Sequence, residues 1–229
     1  MLDFQQRIFM TDSSRGLLTG VLLILALLVS PSIEAAEESI DLANTYDPKE
    51  IYLLPAYCKY TPIFRDRVPG GNDIAQINRY NNTWGEPVFR HMHHYCRGLM
   101  ASNRAAFLSR TPQDRGHNWG ISINEFDYVI QRMPEGFSLL PEMHTKKAES
   151  LIRLDRGSEA VLELQRAIEM KTDYWQAYAA MSDYYKEKGN STAAREWLRK
   201  GLSAAPGAKA LTQRLAELDA AKGKRKNTP

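Results

Sequence analysis

Apolar positions along the chain change character twice. From Gly16 to Val29 they are continuous, GLLTGVLLILALLV, with Arg7 and Arg15 before the run and the small-residue stretch SPSIEAAEE after it. That is the layout of a secretory signal, and the run is shorter than the ~20 residues needed to span a bilayer. The pattern predicts a signal peptide over 1–36, cleaved near Ala35 or Ala36, and a linker over 37–46. An inner-membrane anchor made by the uncleaved signal is the alternative.

Beyond Asp47 the apolar residues recur at three-to-four spacing, as amphipathic helices require. Asp47 and Pro48 supply an N-cap and a first-turn proline for a helix through DPKEIYLLPAYCKY, kinked at Pro55. VPGGN reads as a loop, Asp73 to Tyr80 as a short helix and NNTWGEP as a turn. Val88 to Phe107 reads as a long helix and SRTPQDRGHN as a loop. NWGISINEFDYVIQRM then sets Trp119, Ile123, Phe126 and Ile130 on one face.

From residue 135 the pattern repeats. Trp175 to Ala208 carries Tyr178, Met181, Ser182, Tyr185, Gly189, Ala194, Leu198, Gly201 and Pro206. Stepping back 34 residues gives Ala148, Leu151, Ala160, Leu164, Ala167 and Thr172. These residues resemble the tetratricopeptide (TPR) repeat, a 34-residue helical hairpin in which large residues interlock and small ones sit where helix axes approach. His144 and Lys147 depart from the large apolar residues of the pattern. Phe126, Val129 and Pro134 fit the second helix of a degenerate upstream unit whose first helix would be Val88 to Phe107. Leu211, Leu215 and Leu218 form the stripe of a terminal capping helix.

The resemblance, to exported bacterial members of the family, implies an all-α helical-hairpin solenoid. An N-terminal helical cap region would occupy 47–134, repeats and capping helix 135–221, and a basic disordered tail 222–229. It also implies a concave protein-binding face made by Glu142, Thr145, Glu149, Ile152, Arg153, Gln176, Ala179, Asp183, Lys186 and Glu187. Members that clamp a carboxylate use Lys and Asn where this chain has Thr145, Glu149, Ala179 and Asp183. The implied partner is therefore a basic or neutral segment of another envelope protein, captured by a scaffold that assists assembly.

Composition is that of a globular protein, 43% hydrophobic and 25% charged. Formal net charge is +3; the segment before Glu37 holds two basic and three acidic residues, so its removal leaves +4. No basic stripe interleaved with aromatics points to nucleic acid. Cys58 and Cys96 are the only cysteines, which in an exported chain predicts a disulfide between the Asp47 and Val88 helices rather than two buried thiols.

HMHHYC gathers His91, His93, His94 and Cys96 on one helix, where at most two ligands share a face. A metal site would need His117 or His144 as well, and a metal- or haem-handling accessory protein is the alternative function. No catalytic motif, HExxH, CxxC or CxxCH is present, so neither an enzyme nor a cofactor is expected. The sequons at Asn81 and Asn190 read as turn and cap chemistry.

Overall fold

Asp47 opens the first helix as its sequence predicts, accepting from the Lys49 amide at 2.8 Å with Pro48 in the first turn. The computed structural model describes the backbone of residues 46–226 and side chains of residues 46–220. The signal segment and all of the linker but Tyr46 lie outside the described residues. Tyr46 itself belongs to the folded body, its ring 5.1 Å from that of Phe64.

Among the described residues the chain is all-helical, with no strand. The helices are α1 (Pro48–Tyr52), α2 (Ile74–Trp84), α3 (Glu86–Asn103), α4 (Pro112–Ile130), α5 (Leu140–Arg153), α6 (Gly157–Met170), α7 (Trp175–Glu187), α8 (Ser191–Ala204) and α9 (Lys209–Lys226). No described helix is long and apolar enough to cross a membrane.

Four expectations are corrected in the N-terminal half. Pro55 ends the first helical segment instead of kinking it, because a proline there supplies no amide and crowds the turn before it. The chain resumes as a 3₁₀ turn, Ala56–Tyr60. NNTW is not a turn: it completes α2, which Asp73 caps and Gly85 stops at φ 87°, a left-handed value glycine takes at low cost. The Thr83 hydroxyl accordingly bonds back to the Arg79 carbonyl within the helix. The helix predicted to Phe107 is α-helical only to Asn103 and ends in a π turn, Arg104–Leu108. Finally, SRTPQDRGHN is mostly helix, since Thr111 caps α4 by accepting from the Asp114 amide and Pro112 occupies its first turn.

Cys58 and Cys96 form the predicted disulfide, with Cα atoms 5.6 Å apart. It joins the 3₁₀ turn, not α1, to α3. Around it pack Ile51, Leu54, Phe64, Val68 and Met100.

Each later helix packs on its neighbour in sequence, and α5, α7 and α9 also meet along a second seam. Residues 34 positions apart share burial: Ala148 with Ser182, Ala160 with Ala194, Leu164 with Leu198 and Ala167 with Gly201. Asn190 caps α8 by accepting from the Ala193 amide, as its turn sequence predicts. Helix α9 covers the α7–α8 hairpin with Leu211 and Leu218, and its backbone stays helical to Lys226 where a tail was expected from 222. Lys and Arg are good helix formers, and their charge complements the helix C-terminus.

A glycine fixes one of these close approaches. A methyl at Gly201 would lie 2.7 Å from both Tyr178 Cβ and Leu211 Cδ1. Because Tyr178 Cβ cannot swing away, Gly201→Ala is expected to destabilise by about 2 kcal/mol, read as a lowered denaturation midpoint. An unchanged midpoint would mean that the α7–α8 spacing is not set there.

Candidate functional site

Nine of the ten residues expected on the binding face line three adjoining depressions. The largest, about 820 Å³, includes Glu142, Glu149 and Arg153. A second, about 280 Å³, continues from Glu149 and Arg153 to Ile152, Gln176, Ala179, Asp183 and Glu187. The third, about 290 Å³, shares Asp183 and adds Lys186. The common residues make one run along the α5–α7–α9 seam.

Thr145 is the exception. It is buried, and its hydroxyl donates to the Pro141 carbonyl at 2.8 Å. Its burial among the helices packed on α5 takes it off the open face.

The acidity expected of this surface is largely neutralised locally. Glu149 accepts from Lys146 at 2.8 Å, Glu187 from Arg153 at 3.2 Å, and Asp183 lies 3.3 Å from Arg214. Glu142 accepts from the Tyr95 hydroxyl at 2.7 Å. Burial, then the Glu142 charge, pushes the Tyr95 hydroxyl well above its ordinary pKa, so it stays a donor.

The histidine helix is engaged elsewhere. His94 Nδ1 lies 2.6 Å from Glu125, which also takes Arg97 at 3.2 Å. The His94 ring sits 3.7 Å from that of Tyr128, and the Arg132 guanidinium lies over the same Tyr128 ring, 3.4 Å from its centroid. His93 Nδ1 bonds the Arg90 carbonyl at 2.7 Å, and burial lowers its pKa to about 4. His91 faces Tyr128, while His117 is exposed. Cys96 is held in the disulfide. Among the described residues no group of three or more His, Cys, Asp or Glu is placed to hold a metal ion.

The departures at His144 and Lys147 resolve into a polar cluster that the sequence reading missed. Glu163 of α6 accepts from His144 at 2.5 Å, Lys147 at 2.8 Å and Arg166 at 2.7 Å, and Lys147 also meets Asp127 of α4 at 2.5 Å. Two donors one turn apart on α5, where apolar residues were expected, are the signal that an acid faces them from the next helix.

No protein-family model matches this chain, and no curated protein matches it.

Proposed function

We propose that the chain is an exported, TPR-like scaffold that binds a segment of another envelope protein and assists the assembly or stability of its complex. The observation that carries this reading is the run of depressions along α5, α7 and α9, lined by nine of the residues the repeat resemblance implies. The shared burial of residues 34 positions apart supports the repeat assignment. The disulfide supports export, since such bonds persist in oxidising compartments.

A photo-crosslinking residue introduced at Gln176 or Lys186 is expected to give a discrete protein adduct in cells. The same residue at exposed Leu162 or Arg199, on the second helices of the hairpins, is expected to give none. Charge reversal of Glu149 and Asp183 together should weaken the Gln176 adduct by about tenfold. Equal adducts from both sets of positions, or none from the first, would remove the face from the reading.

A further inference from the structure

The 820 Å³ depression extends beyond the hairpins. One wall is the Leu53–Pro55 segment after α1, together with Phe107 on the π turn. The facing wall is charged and comes from α5. Phe107 and Leu53 are the most exposed large apolar side chains of the described residues, at 82% and 73%, and both stand on this one depression. Two such side chains in one place mark an interaction surface more strongly than scattered ones do.

The apolar wall is held in place before anything binds. Arg104 makes two bonds to Glu50, at 2.6 and 3.2 Å, tying the π turn to α1. The disulfide anchors the 3₁₀ turn that directly follows this segment to α3. Little ordering is left to oppose an occupant.

Its charge identifies the complement. The lining carries Arg115, Lys146 and Arg153 against Glu142 and Glu149. Lys146 is paired with Glu149, and Arg153 with Glu187. Arg115 is exposed, and its guanidinium has no bonded partner among the described residues. The depression thus offers an apolar shelf with one cation, Arg115, that has no side-chain partner among the described residues, while the Glu142 carboxylate is engaged by the Tyr95 hydroxyl.

We propose that this groove receives a protein segment in which a large apolar residue stands next to an acidic one. The apolar side chain lies on Leu53 and Phe107, and the carboxylate pairs with Arg115. The charged α5 wall, Glu142, Lys146, Glu149 and Arg153, favours a peptide, whose amides can bond it, over an acyl chain, which would desolvate those charges without replacing their water. The inference rests on the scaffold reading in taking the occupant to be a protein, and it names a different chemistry for this end of the face.

The test uses the oxidised full chain and fluorescent Gly/Ser hexapeptides containing Leu-Phe-Glu-Glu or Leu-Phe-Lys-Lys, with dodecanoate as the acyl probe. Saturable binding of the acidic peptide is expected, weakened about tenfold by Phe107→Ser or Arg115→Glu and unchanged by Leu162→Ser. Arg115→Glu should also reverse the preference towards the lysine peptide. All three positions are exposed, and circular dichroism checks that each variant folds. Absent acidic-peptide binding, equal binding of both peptides, or competition by dodecanoate alone would overturn the proposal. Gln176 adducts without acidic-peptide binding would sink this groove and leave the scaffold reading standing; peptide binding without adducts would do the reverse.

Discussion

Replacing Cys58 and Cys96 together by alanine is expected to lower the unfolding free energy by about 4 kcal/mol, the largest single effect in the molecule. The bond closes a sequence separation of 38 residues, and in the chain-entropy description that constraint falls mainly on the unfolded chain. The closed loop runs through a second 3₁₀ turn, Arg65–Arg67, which buries no side chain, and α2, which buries only Ile77, before it reaches the buried face of α3. Cut loose, this segment is held by the cluster around Ile51 and Phe64, by the Glu50–Arg104 pair, and by the packing of Ile77, Tyr80 and Trp84 against Phe89 of α3. Urea denaturation of the oxidised protein and the double variant measures the difference. A loss under about 1 kcal/mol would show that the unfolded chain already keeps the two cysteines close.

Glu163→Gln is expected to cost about 3 kcal/mol at neutral pH. Burial alone would raise the Glu163 carboxyl; the hydrogen bonds from His144 and Lys147, with the Lys147 charge, outweigh it and hold the pKa at about 2, against 4.5 for the free group. A folded pKa below the unfolded one means that the ionised group adds stability in full above pH 4.5. That contribution is lost as the pH falls from 4.5 towards 2. The wild type should therefore lose its advantage over Glu163→Gln across this window, and the two stability curves should converge at acid pH. Parallel curves would show that the carboxylate is not what the cluster depends on. Glutamine cannot restore the charge that faces Lys147, whose remaining carboxylate partner is Asp127.

The hairpins from α5 to α8 are legible in the sequence because two signals coincide there. Apolar residues mark each buried stripe, and small residues such as Ala160, Ala194 and Gly201 mark where a neighbouring helix comes close. The N-terminal half lacks that redundancy. Its helices are bounded by single residues, Asp73, Gly85 and Thr111, whose capping role depends on geometry that a polar run of sequence does not display. The repeat resemblance puts Thr145 on the open face, yet it is buried, with its hydroxyl turned back to the Pro141 carbonyl of its own helix. The Glu163 cluster left a trace in the two misfit residues of α5. The apolar wall left none: Leu53 and Phe107 belong to no common period, and only the fold brings them to one cavity.

Two ion pairs cross the α5–α7 seam, Arg153 with Glu187 and Asp155 with Lys188, linking residues 34 and 33 positions apart. Both are exposed, so each adds little to stability. They tie together the ends of the two helices at the mouth of the 280 Å³ depression, which Arg153 and Glu187 line. Ionic strength, which weakens exposed charge pairs and spares buried packing, is therefore expected to act on how widely this mouth opens rather than on whether the hairpins persist.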